Sequence, residues 1–219
     1  MPKNIETLIE GYKEFRQQYF SGSCDIFEEL VRHGQSPKVL MIACSDSRVD
    51  PAIVMNCKPG DLFVVRNVAN LVPPYQADNS YHGTSAALEF AICDLKIHHV
   101  VIFGHSQCGG IKSLVDHVES DHPSYSFVAK WMELAQSACD QTFKNHAEAT
   151  SEEKAHFCGH YAIINSLTNL LTFPWISKGV KEGTLFIHGW FFNLSTGIID
   201  AYNFDSGQFE ELGEQNIVF

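Results

Sequence analysis

Apolar positions along the chain follow two rhythms. Ile5, Leu8, Ile9, Tyr12, Phe15 and Tyr19 recur at three- and four-residue spacing, which predicts a helix over 5–20. Asp25 with Glu28 three positions on is an N-terminal helix signal, so a second short helix is expected after Ser23, ending at Gly34. The rhythm then changes. Lys38 to Ala43, Leu62 to Val65 and Val100 to Phe103 are short unbroken apolar runs, as in strands buried on both faces. Between the last two, Ala87, Leu88, Ala91, Ile92 and Leu95 share one helical face, which predicts a helix from Thr84 to Leu95. Another follows Gly109-Gly110 from Ile111 to Val118, and longer ones are expected over roughly 124–145 and 151–171. A last strand runs from Thr184 to His188, with turn signals at Ser195-Thr196-Gly197 and Asp205-Ser206-Gly207. Repeated strand–helix–strand order predicts an α/β fold, a mostly parallel central sheet flanked by helices. No repeat or linker interrupts it. The expected organisation is an N-terminal helical arm over 1–34, which packs on a partner subunit or merely flanks the sheet, and an α/β domain over 35–219 that carries the chemistry.

A formal net charge of −11 excludes nucleic acid as a partner, because phosphate binding needs a basic face. No run of about 18 apolar residues predicts a membrane span. Pro2 to Glu6 leads into an amphipathic stretch rather than an apolar export segment, so a cytoplasmic location is expected. Seven cysteines, at 24, 44, 57, 93, 108, 139 and 158, then read as core residues or metal ligands in a reducing compartment.

In open α/β sheets functional groups gather beyond the carboxyl ends of strands. The first strand runs into Cys44-Ser45-Asp46-Ser47-Arg48, and the third into Gly104-His105-Ser106-Gln107-Cys108-Gly109-Gly110. Cys44, His105 and Cys108 form a Cys2His donor set that suits tetrahedral zinc. The glycines around His-x-x-Cys are expected to permit its tight turn. Three protein ligands leave one corner open to water, whose pKa zinc lowers from about 15.7 to about 7. Two thiolates make the metal a weaker acid than three imidazoles do. Asp46, held bidentately by Arg48, stays ionised and orients that water; without Arg48 it could swing over and close the site. Taken singly, a buried cysteine, a histidine after a strand and an Asp–Arg pair are ordinary structural features. Their joint placement at two adjacent strand ends points to a metal site.

These residues closely resemble the β-carbonic anhydrases, whose signature is Cys-x-Asp-x-Arg followed about 60 residues on by His-x-x-Cys; here Cys44 and His105 are 61 apart. The likeness extends through Gly34 to Lys38, Val65 to Tyr75 and Asn169 to Pro174. It implies reversible hydration of carbon dioxide to bicarbonate and a proton, with Cys44, His105 and Cys108 on one zinc ion per subunit and Asp46–Arg48 as catalytic dyad. It further implies that Gln35 donates an amide hydrogen bond to substrate and that Phe63 and Val68 line the carbon dioxide pocket. Where the family usually has a tyrosine, able to reach the site from the neighbouring subunit, this chain has Phe90. One subtype carries a tryptophan three residues before the first cysteine, as part of an inhibitory bicarbonate site. Met41 stands there instead, which resembles the plant-like subtype and implies no such shutdown. The resemblance also implies a homodimer or a higher even homo-oligomer. Two other functions stay open: hydrolysis of carbon disulfide or carbonyl sulfide on the same fold, and a zinc-stabilised module without turnover, which would need neither Asp46 nor Arg48. His156 and His160, one helical turn apart, are expected on a helix surface rather than on a second metal, and His98-His99 at a strand start. Eleven histidines single out no proton shuttle.

Overall fold

The computed structural model describes residues 4–22, 25–78, 80–119 and 126–213. Helix α1 (Ile5–Phe20) starts at Asn4, whose side chain accepts the amide of Thr7 at 3.1 Å. Helix α2 (Ile26–His33) ends where Gly34 turns to φ 76°. Asp25 marks its start but makes no side-chain cap bond, and Ser23 lies outside the described residues. Phe15, Tyr19 and Phe20 surround Phe27 with ring centroids 5.6, 5.5 and 4.9 Å away, so the two helices hold chiefly to each other. Ile5, Leu8, Ile9 and Tyr12 remain exposed.

Strands β1 (Val39–Cys44), β2 (Leu62–Asn67), β3 (His99–His105) and β4 (Phe186–Phe192) are parallel in the order β2-β1-β3-β4. β4 extends beyond the expected 184–188 because Gly189 to Phe192 continue the pairing with β3. Two further strands, β5 (Ile199–Asn203) and β6 (Gln208–Glu211), add an antiparallel hairpin around the Asp205-Ser206-Gly207 turn. Their short, mixed sequences carry too little alternation to predict them.

The helices are α3 (Pro51–Val54), α4 (Gly83–Glu89), α5 (Gly109–Glu119), α6 (Ser126–Met132), α7 (Gln136–Asn145), α8 (Ser151–Leu170) and α9 (Pro174–Lys181). A π-helical turn over Phe90–Asp94 continues α4, where an unbroken helix was expected. A 3-10 turn over Glu133–Ala135 separates α6 from α7 within the expected 124–145 helix, whose first two positions lie outside the described residues. Pro174 in its first turn starts α9, a short helix absent from the periodicity reading. Thr150 and Glu153 form a reciprocal capping box on α8. That helix lies close against β3 and β4: a Cβ on Gly104 would meet Ile163 at 2.8 Å, and one on Gly189 would meet it at 2.6 Å. No helix among the described residues is long and apolar enough to cross a membrane.

On β3 and β4 two imidazoles meet, His99 Nδ1 to His188 Nε2 at 3.1 Å. Burial, then the neighbouring His99, pushes the His188 pKa down to about 4. A base whose folded pKa is depressed must be neutral for the fold to keep its full stability, which is therefore lost as pH falls from about 6.5 toward 4. Wild type is expected to lose about 1–2 kcal/mol more stability than His188→Gln between pH 7 and 5, read from urea midpoints; parallel losses in the two proteins would refute this.

Candidate metal centre

β1 and β3 are adjacent and parallel, with Ala43 in register with Phe103, so Cys44 and His105 leave the sheet at the same edge. Past His105 the chain reverses at Gln107, whose φ of 57° brings Cys108 back toward β1 before α5 begins. The left-handed residue is thus Gln107, not one of the flanking glycines. Gly104 instead makes room for Ile163, and Gly110 for Val68, whose Cγ1 would stand 2.9 Å from an added Cβ.

Cys44, His105 and Cys108 are buried, and their donor atoms lie within 4.8 Å of one another. The sulfurs are 3.9 Å apart. Two sulfurs, each about 2.3 Å from one zinc ion at the tetrahedral angle, would stand about 3.8 Å apart. His105 Nδ1 lies 2.8 Å from the Ser106 carbonyl and donates to it, which leaves a lone pair on Nε2. That Nε2 is buried and has no hydrogen-bond partner among the described residues. A soft, orphaned donor set of this kind fits a zinc ion. Between the thiols, donation from the Cys108 S–H outweighs burial, and backbone donors add to it, so the Cys44 thiolate is favoured and its pKa lowered. Donation to Cys44 and burial push Cys108 up.

Beside it, Arg48 grips Asp46 with two side-chain bonds, Nε to Oδ1 at 2.9 Å and Nη2 to Oδ2 at 2.7 Å. The Arg48 amide adds a third, to Oδ1 at 3.0 Å. The guanidinium, more than the amide or the nearby His105, holds the Asp46 carboxyl well below the usual carboxylate range. Arg48 Nη2 also donates to the Gln107 carbonyl at 3.1 Å, tying the dyad to the His105–Cys108 turn.

Arg66 was not singled out from sequence. It sits on β2 opposite Ala43 and reaches the Cys44–Asp50 segment with three parts of its guanidinium. The available signal was a charge at the end of the apolar run Leu62-Phe63-Val64-Val65.

Of the expected pocket residues, Val68 stands against Gly110, two positions past Cys108. Its carbonyl accepts Trp131 Nε1 at 2.8 Å. Phe63 does not join the centre within this chain. It pairs with Leu40, four residues below Cys44, about 13 Å down the strand. It packs with Phe90 at 6.0 Å, on the Leu40–Ile42 side of the sheet. Phe90 is 44% exposed, and Gln35 is exposed on the loop before β1. Among the described residues Cys44, His105 and Cys108 are the one set of three or more metal-ligating side chains; His156 and His160, expected on a helix surface, are instead partly buried against the Phe191 ring.

The family model for carbonic anhydrase matches residues 39–199. The chain is 37% identical over 199 residues to a carbonic anhydrase of Synechocystis sp., covering 91% of this chain and 71% of that protein. It is 36% identical over 195 residues to one of Synechococcus elongatus, covering 88% and 70%. Among solved structures, the β-carbonic anhydrase CcaA aligns over 97% of this chain and 93% of its own, with TM-score 0.87 and 34% identity. One of two tetrameric β-carbonic anhydrases from the filamentous ascomycete Sordaria macrospora aligns over 94% of each chain, with TM-score 0.71 and 27% identity.

Proposed function

Because the chain belongs to the β-carbonic anhydrase family, we propose that Cys44, His105 and Cys108 hold one zinc ion per subunit, and that carbon dioxide is reversibly hydrated there to bicarbonate and a proton. The observation that carries this reading is the buried, unpartnered His105 Nε2 close to two sulfurs 3.9 Å apart. A zinc ion supplies Lewis acidity, which makes hydroxide available near neutral pH.

The chain's own groups do the rest. The Ser106 carbonyl fixes the His105 tautomer. Asp46 Oδ1 already accepts two bonds from Arg48, whereas Oδ2 accepts one and keeps a lone pair for the attacking water. Held ionised, Asp46 accepts that water's hydrogen bond and so directs an oxygen lone pair at the carbon. This orientation offsets the weaker acidity of a metal bearing two thiolates. Val68 supplies an apolar wall for a nonpolar gas.

Phe63, Phe90 and Gln35 serve the centre of a second copy, since they lie away from their own. With Phe90 in place of tyrosine that pocket keeps its apolar surface and lacks one hydroxyl, worth about 0.5–1.5 kcal/mol. A homodimer or higher even oligomer built this way would cover the exposed apolar residues of α1, with 1–34 as arm and 35–219 as catalytic domain; the tetrameric Sordaria relative supports assembly. A reducing, cytoplasmic setting keeps Cys44 and Cys108 free as ligands.

Stopped-flow carbon dioxide hydration on zinc-loaded, chelator-stripped and zinc-restored protein tests the reading. Turnover should vanish with the metal and return with it in proportion. A stripped preparation with full turnover would end it.

A further inference from the structure

The Cys44–Asp50 segment carries one donor thiol, the Asp46–Arg48 pair and the aspartate that caps α3 through Ala52. The Asp46–Arg48 pair fastens one carboxylate of the segment, through a guanidinium that is itself 49% exposed. The neighbouring strand holds the segment more firmly. Arg66 Nε donates to the Cys44 carbonyl at 2.9 Å, Nη2 to the Asp46 carbonyl at 2.7 Å, and Nη1 to Asp50 Oδ2 at 2.9 Å. Arg66 is less exposed than Arg48, and its own backbone is fixed in the β1–β2 ladder. A rigid planar fork can satisfy three acceptors in set directions; a lysine ammonium on a flexible stem cannot reproduce that pattern.

We propose that Arg66 is a positioning residue for the metal centre: by clamping the backbone on both sides of Ser45, it keeps the Cys44 thiol toward His105 and Cys108 and the Asp46 carboxylate toward Arg48, so that the fourth corner stays open. This rests on the reading of the centre given above. Without the clamp the segment relaxes, and Asp46 becomes free to turn its carboxylate onto the metal.

Cobalt(II)-substituted protein gives a readout separate from turnover. Its visible spectrum reports the donor set, and added azide reports whether the fourth corner accepts an exogenous anion. Wild type should bind one cobalt per chain and respond to azide. Arg66→Lys should retain the cobalt and lose the azide response. In zinc form its kcat should fall about 10–100-fold at little-changed KM. Adding Asp46→Asn to Arg66→Lys should restore the azide response, because an amide is a poor ligand. Asp50→Asn, which keeps an oxygen to cap α3, weakens one leg of the clamp and should shift the azide response in the same direction with a smaller kcat loss; it reads the clamp even where Arg66→Lys fails to fold. The proposal is overturned if Arg66→Lys and Asp50→Asn respond to azide as wild type does, or if kcat per bound metal is unchanged. It is equally overturned if the response lost in Arg66→Lys stays lost in the double variant. A wild-type chain that binds no cobalt would overturn the metal-centre reading itself, which separates the two failures.

Discussion

Cys44→Ser is expected to abolish carbon dioxide hydration and to lower bound zinc from about one per chain to near zero. The serine hydroxyl is a harder and far less acidic donor than a thiol whose pKa the neighbouring Cys108 already pulls down. It would have to ionise in a buried site at a cost the metal must meet. Structural zinc–protein sites in small domains contribute on the order of 10–16 kcal/mol of binding free energy, so loss of one of three ligands is decisive. Two further readings separate this from general damage. Cys57→Ser and Cys93→Ser alter thiols outside the three-donor set and should leave zinc content and turnover near wild type. Added zinc should raise the unfolding midpoint of wild type, because it binds the native state, and should not raise that of Cys44→Ser. Retention of stoichiometric zinc and full turnover in Cys44→Ser would remove the basis of the proposed chemistry.

Asp46→Asn should keep zinc and lose about 10²–10³-fold in kcat/KM. The amide is nearly isosteric with the carboxylate, so the segment can remain clamped by Arg66 through backbone carbonyls. What changes is the face toward Arg48. One carboxylate oxygen that accepted a guanidinium N–H is replaced by an NH2 donor, and the two-bond grip fails. The charge that would accept the water's hydrogen bond is also gone. The pH dependence has a definite sign. Arg48 depresses the folded pKa of Asp46, so the ionised dyad persists above the usual carboxylate pKa of about 3.9 and is lost only below it. Loss of wild-type activity on mild acidification should therefore not report Asp46. In Arg48→Met the Asp46 pKa should rise back to the ordinary carboxylate range, adding a loss of activity at about pH 4 that wild type lacks there. An unchanged acid profile with undiminished rate would show that the pair has no part in turnover.

Much of the fold was legible because its elements are strongly periodic or strongly apolar. Helix α1 follows the 3.6-residue rhythm from Ile5, and β1 and β3 are the unbroken runs expected of strands covered on both faces. The elements that escaped are short or context-dependent. Pairing with β3 extends β4 to Phe192, and β5 and β6 owe their form to pairing with β4 and with each other. Local propensity is too weak a force to fix such pieces alone.

At the centre, residue types and spacing sufficed to nominate Cys44, His105, Cys108, Asp46 and Arg48, since zinc selects donors by softness and a parallel sheet delivers adjacent strand ends to one edge. Sequence alone could not choose which residue makes the His105–Cys108 turn, assign the lone pair to His105 Nε2, find the three-way grip of Arg66, or separate Val68 beside the centre from Phe63 and Phe90 on the other side of the sheet. Chemical identity is carried by each residue separately and can be read one position at a time. Distance, direction and hydrogen-bond partnership arise between residues far apart in the chain, and only the packed sheet sets them.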